Sequence, residues 1–153
     1  MKESILFLII ATFSLAVMAQ TGKKEEKKVK KIDVPIAVTG AFQKNYPSVK
    51  EVKWDAEDGD FEAGFKLNGV ECSAIFNKTG QRLEFEETIK SELLPKAVLE
   101  YIQKNYATFK TVEAAKITND KKEITYEAAV KLGKIEMGLV FDANGKFIKE
   151  EKD

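Results

Sequence analysis

The chain contains no histidine, and this absence removes more catalytic chemistry than any other feature of its composition. Without imidazole, a Ser-His-Asp triad, a Cys-His pair, a histidine-ligated zinc ion and an imidazole general base are all excluded. The single cysteine, Cys72, excludes an internal disulfide and any metal site built from several cysteines.

The chain also lacks a surplus of either charge, because its 153 residues include 25 Lys and Arg and 25 Asp and Glu. Nucleic-acid-binding proteins normally carry a basic surplus, so a neutral total gives no support for a nucleic-acid partner. Hydrophobic residues make up 44% and charged residues 33%, which is typical of a soluble globular protein. The length fits one domain or two very small ones.

One long apolar run is present, and it lies at the amino terminus. Residues 5–17 are nearly unbroken apolar sequence after Lys2, and the small Ala19 follows shortly. A run this short does not span a bilayer comfortably. The pattern predicts a signal peptide over residues 1–19, cut between Ala19 and Gln20. We therefore expect a periplasmic or secreted protein with no stable membrane insertion after cleavage.

The segment that follows, residues 20–33, is rich in Lys and Glu. Six lysines and one large apolar residue, Val29, occur within residues 21–31. Such a segment buries too little surface to offset the entropy of ordering, so it is predicted to be a flexible tether. A basic arm for an anionic lipid or polymer is the alternative.

An internal repeat organises the rest of the chain. Residues 34–46 and 94–106 share a Pro-x-Ala-Val motif and an identical Gln-Lys-Asn-Tyr sequence. Later matches include Gly80 and Gly145. Such self-similarity indicates one supersecondary unit used twice, so we predict a first repeat over 34–90 and a second over 91–153.

Each predicted repeat begins with a helix and continues with four strands. Pro35 and Pro95 suit a first helical turn, and apolar residues then recur at helical spacing. The strands alternate with period two and are joined by turn pairs such as Asn68-Gly69. The predicted fold class is α+β, with two tandem repeats that each pack one helix on a four-stranded antiparallel sheet.

Alternation along the strands assigns one sheet face to the helices and the other to solvent. Phe76 and Phe141 fall on the helix-covered face. Trp54 is compatible with core packing and with the anchor of a protein interface. The candidate binding face comprises Trp54, Glu62, Lys66, Glu71, Glu127, Lys131 and Glu136.

Other candidate sites match known chemistry poorly. An acidic group invites a calcium interpretation, but an EF-hand alignment on Gly59 puts Trp54 at the first ligand position. We interpret this group as a solvated hairpin tip: Asp55, Glu57, Asp58 and Asp60. Paired carboxylates for glycoside hydrolysis have no pocket signature around them, and Cys72 fits a buried small apolar residue. The sequence predicts no catalytic residue, metal ligand or cofactor, and therefore no enzyme.

Residues 34–151 resemble the PepSY-like, β-lactamase-inhibitor-like family of exported bacterial proteins. The resemblance rests on the leader, the repeated helix motif and the sequence FEAGFKLNG with its flanking Trp-Asp and Thr-Gly pairs. It implies tandem α+β modules whose sheet forms a continuous surface. The inhibitor that gives the family its name uses this surface to dock onto a protein enzyme. The expected function is an exported non-catalytic module that binds an envelope protein, as an inhibitor or regulator. The alternative is a periplasmic small-molecule or cation-binding protein.

Overall fold

A computed structural model describes residues 32–152 of the chain. The predicted signal peptide and the part of the predicted tether before residue 32 lie outside the described residues. Within the described range, no helix has the length and apolar character needed to cross a membrane.

The described chain forms helices and strands in the order α1, β1 to β4, α2 and β5 to β8. A short 3-10 helix, Ser91–Leu93, precedes α2. The helices are α1 (Ile36–Asn45) and α2 (Lys96–Asn105). The strands are β1 (Val52–Glu57), β2 (Asp60–Leu67), β3 (Val70–Phe76), β4 (Arg82–Thr88), β5 (Lys110–Asn119), β6 (Ile124–Leu132), β7 (Ile135–Asp142) and β8 (Phe147–Lys152).

Both helices begin immediately after a proline. Pro35 has φ −58° and Pro95 has φ −52°, values that suit the entry to a helix. Their carbonyl oxygens accept hydrogen bonds from the N–H groups of Val38 and Val98, each at 2.9 Å. Each proline therefore occupies the N-terminal capping position of its helix. The sequence predicted it one residue later, within the first helical turn.

The first two hairpins turn through residues with positive φ, as their turn pairs predicted. Asp58 and Gly59 have φ 53° and 90°, and Asn68 and Gly69 have φ 52° and 84°. Two successive residues in this region form the turn whose twist matches that of antiparallel strands. Asn-Gly and Asp-Gly pairs adopt it at low cost, so these hairpins are specified locally.

The predicted fold class is wrong, because the eight strands form one antiparallel sheet and not two four-stranded sheets. The strand order is β1 to β8, and β4 pairs with β5. A separate four-stranded sheet would leave the N–H and C=O groups along the edge of β4 unpaired, and pairing with β5 satisfies them. The protein is thus mostly β, with two helices.

Both helices pack on the same face of this sheet. Cys72 lies opposite Glu87, which lies opposite Lys116, which lies opposite Tyr126. Residues opposite one another share a face. Cys72 belongs to the cluster around α1, whereas Tyr126 packs against the cluster around α2. This face is called the helix-covered face below.

Two hydrophobic clusters lie between the helices and the sheet. The α1 cluster comprises Val38, Phe42, Tyr46, Ala63, Phe65, Cys72, Ala74 and Phe76. The α2 cluster comprises Leu94, Val98, Ile102, Ala114, Ala128, Val130, Met137, Leu139 and Phe141. Phe76 and Phe141 are both fully buried, so the predicted facing of these two side chains is confirmed.

Gly80 follows β3 and passes very close to α1. A Cβ atom built on Gly80 would lie 2.5 Å from the carbonyl oxygen of Ala37, and the φ of Gly80 is +84°. We expect Gly80→Ala to lower the free energy of unfolding by about 2–4 kcal/mol, since it adds a backbone clash to an unfavourable φ.

Gly69→Ala is the matched control for this substitution. Gly69 has the same φ of +84° but no atom within 4 Å of a built Cβ. It should lose only about 1–2 kcal/mol, the cost of the φ alone. Urea unfolding of both variants measures the difference, and equal losses would show that α1 does not restrict Gly80.

Candidate functional site

The sheet face opposite the helices is called the open face, because the side chains that α1 and α2 bury belong to the clusters on the other face. Strand register assigns the residues to it. Acidic side chains outnumber basic ones on this face. Its charged residues on β2 to β8 include Glu62, Lys66, Glu71, Glu84, Glu86, Glu113, Glu127, Lys131, Glu136, Lys149 and Glu151.

Five residues of the predicted binding face lie on the open face within reach of solvent. Lys66 and Glu71 form a cross-strand ion pair of 2.8 Å, and Lys131 and Glu136 form another of 2.6 Å. Glu62 lies on β2 opposite Asp55 and Ile75. Exposed pairs contribute little to stability, so their main effect is on the charge pattern of the surface.

Trp54 lies on the helix-covered face and is not part of the open face. Its ring centroid is 5.4 Å from that of Phe42 in an edge-on arrangement, and the side chain is half-buried beside the α1 cluster. This is the core-packing alternative left open by the sequence. The structure therefore separates Trp54 from the charged residues with which it was grouped.

Glu127 lies on the open face, but its expected exposure to solvent is wrong. The residue is only 3% exposed, and both carboxyl oxygens are buried without a hydrogen-bond partner. A Cβ built on Gly138 would lie 2.6 Å from Oε1 of Glu127. The carboxyl group therefore occupies the space that a side chain at position 138 would fill.

Small and apolar residues surround Glu127 and form what we call the floor of the open face. Ala115 and Val140 lie directly opposite Glu127 on the neighbouring strands. The floor consists of the buried residues Ala115, Ile117, Ala129, Gly138 and Val140. The described open-face residues are thus exposed or half-buried on β1 to β3, whereas those on β5 to β7 include Glu127 and these buried floor residues, which the sequence did not predict.

The sequence did contain a signal for this buried region. Residues 128–130 and 137–141 are apolar at both parities of the strand. Continuous apolar runs are typical of strands buried on both faces, whereas simple alternation is typical of strands exposed on one face. The charged residues that flank these runs follow the alternation of a strand with one exposed face, so they predict exposure here.

Four glutamates of the open face have raised pKa values, and we call them the carboxyl cluster: Glu84, Glu86, Glu113 and Glu127. Burial raises the pKa of Glu127 to about 8, with smaller contributions from Glu86, Glu151 and Glu113 and an opposing one from Lys149. Burial, with Glu62 and other acidic neighbours, raises the pKa of Glu86 to about 7. Glu127 is therefore mostly protonated at neutral pH.

The other candidate chemistries find less support in the geometry. Within residues 32–152, no group of three or more acidic or cysteine side chains converges to hold a metal ion. Cys72 is buried in the α1 cluster, as predicted, and burial followed by Glu87 raises the pKa of its thiol to about 11. A thiol with this pKa is a poor nucleophile at neutral pH.

A shallow hollow of about 240 Å³ lies where β5 and β6 meet the loops at one end of the sheet. All of its lining residues are exposed: Thr108, Lys110, Val112, Lys131, Leu132 and Gly133. Small-molecule sites normally bury most of the ligand surface. This hollow would leave a ligand largely in solvent.

The sequence matches a family model described as "Putative beta-lactamase-inhibitor-like, PepSY-like" over residues 60–149. Comparison with curated proteins gives no match.

Three solved structures illustrate the likeness in fold. A structure from Bacteroides eggerthii described as "putative periplasmic proteins" has 15% identity and a TM-score of 0.72, covering 78% of this chain and 88% of its own. A DUF2874 family protein from Bacteroides ovatus has 24% identity and a TM-score of 0.68, covering 79% and 89%. A BLIP-like protein from Bacteroides fragilis has 21% identity and a TM-score of 0.64, covering 80% and 89%.

Proposed function

Because the chain belongs to the PepSY-like, β-lactamase-inhibitor-like family, as its sequence predicted, we propose that it is an exported, non-catalytic module that binds another protein on its open face. Regulation or inhibition of an envelope enzyme is the use that the family description suggests. The description of one structural neighbour as periplasmic supports a location in the periplasm or outside the cell.

The open face itself is the observation that carries this proposal. It extends across eight hydrogen-bonded strands, and the helices bury their apolar side chains on the opposite face. The described open face is broad and carries mainly charged, solvent-accessible side chains around a buried apolar floor, and a surface of this kind suits a partner of complementary charge. The exposed hollow beside it would bury little of a small molecule's surface, so it supports small-molecule binding less well.

The charge of the open face indicates the chemistry of the partner. Glutamates are the commonest charged residues of the open face. Burial is the main cause of the raised pKa values of Glu84, Glu86, Glu113 and Glu127, and acidic neighbours raise them further. A basic protein surface would relieve this repulsion and would be steered towards it. We therefore propose a partner that presents lysine or arginine side chains.

Capture experiments with charge-reversal variants test this function. The chain from Gln20 onward would be immobilised, and a captured envelope protein would be purified and its affinity measured. Glu62→Lys with Glu71→Lys alters the open face. We expect this pair to weaken binding at least 10-fold, since opposite charges are replaced by like charges at the interface.

The matched control changes the same charge on the helical side of the protein. Glu92 and Glu100 are exposed residues of the 3-10 helix and α2. Glu92→Lys with Glu100→Lys gives the same net charge as the open-face pair and should leave the affinity within about 2-fold of wild type, since these sites lie outside the proposed interface. Equal loss in both pairs, or a loss confined to the control, would refute docking on the open face.

The exported protein is expected to begin at Gln20. Residues 1–19 have the apolar core and small-residue end of a cleavable leader. Intact-mass measurement of the protein recovered from the periplasm or medium checks this. A mass that includes residues 1–19, or accumulation only in the cytoplasm, would contradict the predicted export.

A further inference from the structure

The buried carboxyl group of Glu127 has no partner in the structure that would stabilise it. It lies on β6 of the open face, between Ala115 and Val140, and neither of its oxygens accepts a hydrogen bond from the described residues. Burying a carboxyl group without a partner is costly, whereas a hydrophobic residue would fit the floor around it without that cost. A cationic partner that supplied hydrogen-bond donors to this carboxyl group would remove that cost.

We propose that Glu127 is the recognition site for a primary ammonium group, the side-chain end of a lysine on the protein partner. This inference rests on the proposed function and specifies which contact at the open face carries its selectivity. The two carboxyl oxygens supply acceptors, and an ammonium group supplies three donors on a slender aliphatic stem.

The surroundings of Glu127 fit a lysine better than other cations. Ala115, Ala129 and Gly138 make the buried floor beside Glu127 apolar, and the carboxyl group of Glu127 itself fills the space next to Gly138. The methylene groups of a lysine stem are compatible with such an apolar floor. Because both carboxyl oxygens of Glu127 are almost fully buried, a compact ammonium group would reach them with less displacement of the surrounding side chains than a planar, five-donor guanidinium would. The cluster does not bring three carboxylates together in the described residues, so a bare metal ion would lack ligands.

The charged groups around Glu127 favour an incoming cation. Burial is the main cause of the raised pKa of Glu127. Glu86 on β4, Glu151 on β8 and Glu113 on β5 raise it further, whereas Lys149 on β8 lowers it. The neighbouring strand β7 contributes Gly138 and Val140, which carry no charge. Lys149 itself is ion-paired with Glu151, so it leaves the oxygens of Glu127 unpartnered.

Binding should release a proton from Glu127. With a pKa of about 8, its carboxyl group is mostly neutral at pH 7 in the free protein. An ammonium group beside it favours the carboxylate, so the acid O–H gives its proton to the buffer and a carboxylate–ammonium pair forms. Affinity should therefore rise by at least 10-fold between pH 6 and pH 8, because ionisation costs less as the pH approaches the pKa.

Carbon-13 NMR of the Glu127 carboxyl carbon tests the proposed site directly. The probe is Nα-acetyl-L-lysine N-methylamide, and Nα-acetyl-L-norleucine N-methylamide is the neutral control of similar shape. At pH 7, the lysine probe should shift the Glu127 signal towards the carboxylate value, and the norleucine probe should not. Equal shifts with both probes, or no shift with either, would overturn the ammonium site.

Two variants separate the carboxyl group from the general charge of the open face. Glu127→Gln should weaken lysine-probe binding at least 10-fold. Gly138→Ala keeps every charge but places a methyl group 2.6 Å from the present position of Oε1, so it should also weaken binding. Gly64→Ala, on the same face with no contact closer than 3.9 Å, should bind as wild type does. Amide NMR spectra establish that each variant is folded.

The same variants distinguish failure of this inference from failure of the proposed function. Unchanged lysine-probe binding by Glu127→Gln would overturn the Glu127 site, even if the purified partner still docked on the open face. If Glu127→Gln lost binding of the lysine probe but kept its affinity for the partner, Glu127 would not be the residue that contacts the partner's lysine, and the inference would be overturned. Partner binding that is insensitive to Glu62→Lys with Glu71→Lys would overturn the proposed function, whatever the probe does.

Discussion

Replacing Glu127 with glutamine is expected to remove a large loss of stability that the wild-type protein suffers as the pH rises. The pKa of Glu127 is about 8 in the folded protein and about 4.5 in an exposed chain. Below pH 4.5 both states hold the proton, so the stability from this group is fully present. Between pH 4.5 and pH 8 the unfolded chain loses the proton first, and the free energy of unfolding falls with pH.

The expected size of this effect is about 3–5 kcal/mol between pH 4.5 and pH 9, since each unit of pKa difference corresponds to about 1.4 kcal/mol. Glutamine cannot ionise, so the stability of Glu127→Gln minus that of wild type should increase by this amount over the same range. Urea unfolding at closely spaced pH values measures the two profiles. The comparison of profiles cancels any constant cost of burying the glutamine amide.

Glu71→Gln is the control for the pH experiment. Glu71 is an exposed open-face residue, and its side chain retains 49% of its accessible surface. Its replacement leaves the buried carboxyl group of Glu127 in place, so this variant should lose stability with rising pH as wild type does. Parallel profiles for Glu127→Gln and wild type would show that the carboxyl group of Glu127 is not held in a low-dielectric site.

Replacing Phe141 with alanine is expected to lower the free energy of unfolding by about 3–5 kcal/mol. Phe141 is fully buried in the α2 cluster, where its ring contacts Tyr101 edge-on with centroids 5.4 Å apart. Truncation removes the transfer energy of the ring and leaves a cavity that the sheet and α2 cannot fully close. The same loss is expected for Phe76→Ala in the α1 cluster, since Phe76 is also fully buried.

Ile135→Ala is the control for the two phenylalanine substitutions. Ile135 lies on the same strand as Phe141 but is 56% exposed. Its truncation should cost less than about 1 kcal/mol, because much of the side chain is already in water. Chemical denaturation measures all three variants, and losses below 1 kcal/mol for both phenylalanines would contradict the packing of the helices on the sheet.

The features that the sequence predicted correctly are those set by neighbouring residues. Asn68-Gly69 specifies its turn because both residues tolerate positive φ, and Pro35 and Pro95 mark the helix starts because proline has a fixed φ. The burial of Phe76 follows from alternation on a single strand. None of these requires knowledge of what lies beside the strand.

The features that it missed depend on contacts between distant segments. Nothing in the pattern of β4 indicates that Glu87 will lie opposite Lys116 of β5, so the number of sheets could not be read from it. Glu127 occupies a position that the alternation along β6 assigns to the solvated face. Its burial depends on Ala115 and Val140, which lie opposite it on the neighbouring strands. Cross-strand register is therefore the information that single-strand periodicity lacks.

Site-specific photo-crosslinking in cells that produce the protein naturally tests most directly whether the open face binds a protein partner. A photoreactive phenylalanine analogue would replace Glu71 on the open face or Glu100 on α2, two glutamates whose side chains are 49% and 63% exposed. Illumination should attach a protein partner at position 71 and not at position 100. Attachment of the partner from position 100 alone would contradict docking on the open face.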